Sequence, residues 1–204
     1  MSTSPEPHDG DAPASTDAGP PDRERPPYAW EKLKDAEGIP AGEHLAAFRR
    51  GWNAEPGALP TLWAYYTTLT SDGRITRRLR AEHLALTLFG LHQQGQSRPV
   101  HAKGVRLGEA LRSLRTSGRY SEAALDRRVA SCATADDVTE FAQHLRGLIS
   151  MLKTLKEPQG LDYSQLVADL TAWQSPDRIG RIRRRLGADY FRHDAPPAKT
   201  PNSP

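Results

Sequence analysis

The stretch Thr76-Arg-Arg-Leu-Arg-Ala-Glu-His-Leu-Ala-Leu-Thr-Leu-Phe-Gly-Leu-His-Gln-Gln94 decides the fold. Its apolar positions, Leu79, His83, Leu84, Leu86, Leu88, Phe89 and Leu91, follow helical spacing and do not alternate as a half-buried strand would. They cover most of the helix circumference, so this segment has to be wrapped by other helices and lies at the centre of a bundle. Ser71-Asp72-Gly73 makes the turn before it, and Gln96 to Gly104, held open by Pro99, makes the loop after it.

Working outward, the same periodicity recurs on both sides. Upstream, a helix begins near Tyr28 to Trp30, and a second from Glu43 to Trp52 aligns Leu45, Phe48 and Trp52. Pro56 and Gly57 break the chain, and Pro60 opens a third helix carrying Leu62, Trp63, Tyr66 and Leu69. Downstream, Leu107, Ala110, Leu111 and Leu114 define a short helix that stops before Ser117-Gly118. Four further amphipathic segments follow, marked by Leu125, Val129 and Cys132; by Val138, Phe141, Leu145, Leu148, Ile149 and Leu152; by Leu166, Leu170 and Trp173; and by Ile179, Ile182 and Leu186. Asp136-Asp137, Asp162 and Ser175-Pro176-Asp177 are helix starts, because acids and capping side chains suit the unpaired N–H groups there. The expected fold is all-α, with two small helical bundles in tandem over 28–117 and 118–193. Trp52, Trp63, Phe89, Phe141 and Trp173 fall on the apolar stripes and are expected in the core.

Residues 1–27 are rich in Pro, Asp, Ser, Thr and Gly and poor in large apolar side chains, and 194–204 carries Pro196, Pro197, Pro201 and Pro204, so disordered tails are expected at both ends. Residues 1–27 also hold six acids against two arginines, which hides the charge of the rest. Segment 28–193 carries 25 Lys and Arg against 18 Asp and Glu, a formal +7. Neither a signal peptide nor a run of some 18 apolar residues is present, and the single Cys132 can form no internal disulfide, so a cytoplasmic protein without membrane contact is expected.

The seven histidines fit no HExxH or CxxC-type spacing, and no phosphate-cradling glycine loop occurs. No catalytic residue, metal site or cofactor is therefore expected. His83 and His92 read as packed residues of the central helix, and His101 as a loop residue able to touch phosphate.

Arginine dominates what remains. Between Arg74 and Arg128 there are twelve basic residues against four acids. Arg112, Arg115 and Arg119 are spaced to offer guanidinium groups from one helix face to successive phosphates. The candidate nucleic-acid-binding set is Arg49, Arg50, Arg77, Arg78, Arg98, Lys103, Arg112, Arg115, Arg119, Arg127, Arg128 and Arg146. No recognition helix and no exposed aromatic row is legible, so the expected mode is contact with backbone and shape.

The order of segments also carries a resemblance. Leu45-Ala-Ala-Phe-Arg-Arg-Gly51, Leu84 to Gly95, Gly104-Val-Arg-Leu-Gly-Glu-Ala-Leu111, Leu161-Asp-Tyr163, Leu170-Thr-Ala-Trp-Gln174 and Arg183-Arg-Arg185 through Tyr190-Phe191 together resemble the CasB family, small subunits of the type I-E CRISPR Cascade surveillance complex. The resemblance covers Leu45 to Arg192. It implies two copies head to tail, other Cascade subunits, guide RNA and both strands of target DNA as partners, and a role in holding the opened duplex. Arg49 and Arg50, Arg77 and Arg78, and Arg146 match basic positions of the family. From the residues alone, a stand-alone duplex-DNA-binding regulator and a structural adaptor remain open; the first would bind duplex by itself, the second would show no dependence on nucleic acid.

Overall fold

The computed structural model describes residues 25–33 and 40–192, and the expected tails fall outside these except for 25–27. Eight α-helices follow in order: α1 (Ala29–Lys32), α2 (Gly42–Arg50), α3 (Arg77–Gln93), α4 (Leu107–Thr116), α5 (Glu122–Thr134), α6 (Val138–Leu152), α7 (Tyr163–Trp173) and α8 (Pro176–Tyr190). Short 3-10 turns at Gly51–Asn53 and Pro60–Tyr65 join α2 to α3. No strand occurs among the described residues; the one bridge pairs His101 with Leu161.

α3 is the axis. The Thr76 hydroxyl caps it by accepting from the Leu79 amide at 3.0 Å, and Leu79 through Gln93 are buried apart from Arg80 and Leu91. A helix apolar on every side leaves no face for water, so α2, α6 and α7 surround it. Its approach to α2 is close enough that a Cβ on Gly90 would lie 2.6 Å from the Phe48 Cβ. α4 lies against α8 in the same way: a Cβ on Gly108 would meet the Asp189 Cβ at 2.6 Å and the Leu186 carbonyl at 2.7 Å. Both helical halves contribute to one continuous apolar cluster running from Tyr28 to Tyr190.

Asp137 and Asp162 cap their helices as expected, accepting from the Thr139 and Glu140 amides and from the Gln165 amide. The third helix differs from expectation. Past Tyr65 the chain leaves the 3-10 turn because the buried Glu82 carboxylate accepts from the Thr67 amide and hydroxyl at 2.8 and 2.9 Å and from the Thr68 hydroxyl. The amide that would have continued a helix is spent on Glu82 instead. Trp63 and Leu69, expected inside, are 52% and 44% exposed, with the indole N–H donating to the Gly57 carbonyl at 2.6 Å. Trp52 is half-buried. Phe89, Phe141 and Trp173 are core residues as expected.

Candidate nucleic-acid interface

The structure separates the candidate arginines into those occupied by the fold and those left for a ligand. Arg115 belongs to the first group: it pairs with Glu122 at 2.7 Å and Asp126 at 3.1 Å, and Asp126 also accepts from the Tyr190 hydroxyl at 2.8 Å. Arg112 donates to the Arg192 carbonyl at 3.1 Å. Arg119 is not on their helix at all, since α4 ends at Thr116 and Gly118 takes a left-handed φ of 67°. The expected single face of Arg112, Arg115 and Arg119 therefore does not form. Arg119 instead lies over the Tyr120 ring, on a shallow groove of about 390 Å³ that it shares with Lys156 and Glu157. Arg98 reaches Glu157 at 3.6 Å from a solvent-exposed position, an ion pair of little strength.

Three cations, Arg49, Arg146 and Lys153, are brought together where the end of α2 and the turn after it meet α6. Arg146 stacks its guanidinium 4.4 Å above the Trp52 ring, a cation–π contact that holds the charge in place. Lys153, the residue after α6, has its ammonium pKa lowered first by burial and then by the charge of Arg49 across the junction. Among the described residues no ion pair neutralises Arg49, Arg146 or Lys153. Arg50, the last residue of α2, is exposed. Gathering like charges without a carboxylate between them raises the local potential, and a polyanion relieves it. Sequence reasoning misses Lys153, because it follows a different helix far along the chain from Arg49 and only packing makes them neighbours.

A second cationic edge forms where α3 starts against the α7–α8 turn. Arg77 donates to the Ser175 hydroxyl at 3.1 Å, Arg80 to the Gln174 side-chain carbonyl at 3.2 Å, and the Gln174 amide returns to the Arg77 carbonyl at 2.8 Å. These partners are neutral, so they orient the guanidinium groups without cancelling their charge. Arg78 is exposed on the same turn, and Arg127 and Arg128 are exposed on α5. Much of the α8 arginine run is structural by contrast: Arg185 pairs with the buried Asp169, and Arg183 donates to the Ala135 carbonyl at 2.9 Å beside the Trp173 ring.

Lys103 is presented by a loop stitched to the start of α7. The Asp162 carboxylate accepts from the Gly104 amide at 2.7 Å, the Asp162 amide donates to the Val105 carbonyl at 2.8 Å, and the Leu161 amide to the Val100 carbonyl at 2.9 Å. Gly104 takes φ 86°, which turns the chain after Lys103. The two histidines of α3 are packing groups, as expected: His83 meets the Tyr66 hydroxyl, and His92 meets the Tyr163 hydroxyl at 3.0 Å. Cys132 is buried. Among the described residues no group of three or more His, Cys, Asp or Glu is arranged to hold a metal, and no helix is long and apolar enough to cross a membrane.

Comparison with known proteins agrees with this architecture. A family model described as CRISPR-associated protein Cse2 matches residues 44–191, within one residue of the span read from the CasB-like motifs. A CRISPR-associated protein Cse2 of Thermus thermophilus is 25% identical over 146 residues, covering 72% of this chain and 77% of the relative. Among solved structures, CasB from Thermobifida fusca superposes with a TM-score of 0.59 at 25% identity, over 74% of this chain and 85% of that one. CasB of M. ruber gives 0.57 at 16% identity over 74% and 85%, and a chain of a CRISPR RNA-guided surveillance complex gives 0.52 at 18% over 72% and 81%, both likenesses of fold. With most of its helical body matched in sequence and in structure, this chain belongs to the Cse2 family of CRISPR-associated proteins.

Proposed function

We propose that this protein is the small subunit of a type I-E Cascade surveillance complex, present there as two copies, and that it acts by binding nucleic acid backbone and catalyses nothing. Its task is to stabilise the opened target by holding the guide RNA–target hybrid and the displaced DNA strand, so that reannealing becomes less favourable. The observation that carries this reading is the α2–α6 junction, where Arg49, Arg146 and Lys153 stand together without an acidic partner among the described residues. A fold that needed those charges only for solubility would not bring them together from two helices.

Backbone contact predicts a strong salt dependence. Five or six neutralised phosphates on a single strand give a logarithmic slope of about −4, and each phosphate left unneutralised makes it shallower by about 0.7. The test is to assemble the guide-loaded complex with wild-type protein and with an Arg49→Ala, Lys153→Ala variant, and to footprint the displaced strand of a bound target. Protection by wild type and its loss in the variant, with assembly intact, is the expected result. Equal protection with the protein omitted sinks the strand-holding role, and the structural adaptor then accounts for the basic surface.

A further inference from the structure

The fold turns Trp63 outward and then fixes it there. Its neighbour Leu62 is fully buried and anchors the 3-10 turn, while the Trp63 indole N–H donates to the Gly57 carbonyl at 2.6 Å and half of the side chain stays in solvent. The ring lines a groove of about 400 Å³ together with Gly57, Leu69, Arg74, Ile75 and Leu79. A Cβ on Gly57 would lie 3.4 Å from a Leu69 methyl and 3.7 Å from a Leu79 methyl, so these residues make a continuous apolar floor. The far wall is a tight turn. The Gly73 amide donates to the Thr70 carbonyl at 3.1 Å and the Thr70 hydroxyl to the Arg74 carbonyl at 3.2 Å, which brings Arg74 back to the groove.

This lining suits a flat, uncharged ring with a phosphate beside it. Arg74 supplies the cation: its guanidinium stands 3.7 Å from the Asp72 carboxylate with both side chains mostly in solvent, a weak pair that a phosphate can replace. Arg78 is exposed and directly precedes Leu79 of the floor, so the groove adjoins the basic start of α3. Glu55 also lines the groove; its carboxylate repels a phosphate but accepts from the amino group of a base. A protein partner fits less well. Around the groove the exposed large apolar side chains among the described residues are Trp63 and Leu69, too few for the aromatic-rich centre of an interface of about 800 Å² per partner. One stacked ring needs no more than that.

We propose that this groove is a base-stacking site, in which an unstacked nucleobase of a single strand lies against the Trp63 ring while Arg74 and Arg78 take the flanking phosphates. This rests on the nucleic-acid reading above and adds to it a contact with bases, tolerant of sequence because every base presents a π-face. Since the indole is already held by Gly57, little freedom is lost when a base settles on it. The site also distinguishes a single strand from a duplex, whose bases are stacked on one another and out of its reach.

The experiment uses the full-length chain and two single-stranded DNA oligonucleotides of equal length, one carrying bases and one abasic throughout, so that the phosphates are the same. Wild type is expected to bind the base-bearing strand about tenfold more tightly, with quenching of tryptophan fluorescence. Trp63→Ala is expected to abolish the preference and most of the quenching while leaving the salt slope in place, because the phosphate contacts remain. Trp63→Phe keeps a ring and is expected to retain most of the preference. Equal affinity of wild type for the two strands, a preference that survives Trp63→Ala, or its loss in Trp63→Phe as well overturns base stacking. A Trp63→Ala chain that keeps the preference but no longer joins the guide-loaded complex identifies the groove as a protein-docking site instead. If the full chain binds neither strand, the groove holds no base and the proposal falls, whereas the nucleic-acid reading stands or falls on the footprint of the displaced strand.

Discussion

A guanidinium does different work according to what stands opposite it. Arg115 faces Glu122 and Asp126 and closes a network with Tyr190, so Arg115→Ala is expected to lower the urea midpoint by leaving those acceptors short of a donor. The same change at Arg78 or Arg128, which are exposed, is expected to leave the midpoint in place and to reduce the salt slope of single-strand binding by about 0.7 for each phosphate no longer neutralised. Titrating residues divide in a similar way. Burial alone would raise the Glu31 carboxyl, but hydrogen bonds from Arg25, Ser164 and the Tyr28 amide outweigh it and bring the pKa from 4.5 to about 2. The charged form is thus favoured by folding, and its hold on Arg25 and Ser164 is at full strength above the unfolded pKa and weakens as pH falls toward 2. Burial, then the charge of Lys153, lowers His92 from 6.5 to about 4. Its unfolded imidazole protonates first, so stability is complete above pH 6.5 and declines from there to 4. Urea midpoints measured between pH 7 and pH 4 check this, and His92→Gln is expected to flatten the curve over that window.

At the scale of elements, packing distance explains motifs that sequence presents only as letters. Gly108, the second glycine of the Gly104-Val-Arg-Leu-Gly108 segment, lets α4 touch the α8 backbone, where a Cβ would meet the Leu186 carbonyl at 2.7 Å. Backbone cannot step aside as a flexible side chain can, so Gly108→Ala is expected to cost about 1–3 kcal/mol, read as a lower melting temperature. Helix positions and caps are legible in the sequence, because the 3.6-residue period and residues such as Asp137 and Asp162 are local signals. The 60–70 segment is not. Its apolar residues keep a helical spacing, yet Glu82, a residue of another element, takes its amide and turns Trp63 and Leu69 to the surface.

For the molecule as a whole, the decisive feature is that α3 shares its surface between both halves of the chain. Phe89 is 1% exposed and its ring neighbours those of Trp30, Phe48 and Tyr163. Phe89→Ala is therefore expected to cost about 3–5 kcal/mol and to weaken both halves together, with circular dichroism and tryptophan fluorescence following one shared unfolding transition. The sequence by itself determined the all-α class, the helix order, the family and the excess of arginine, because periodicity, capping and composition are written in neighbouring residues. Only the tertiary structure decided which cations are free. Whether Arg115 meets Asp126, or Lys153 feels the charge of Arg49, depends on chain segments brought together by burial of a common core, and charges that far apart in sequence act on each other only when that core forms.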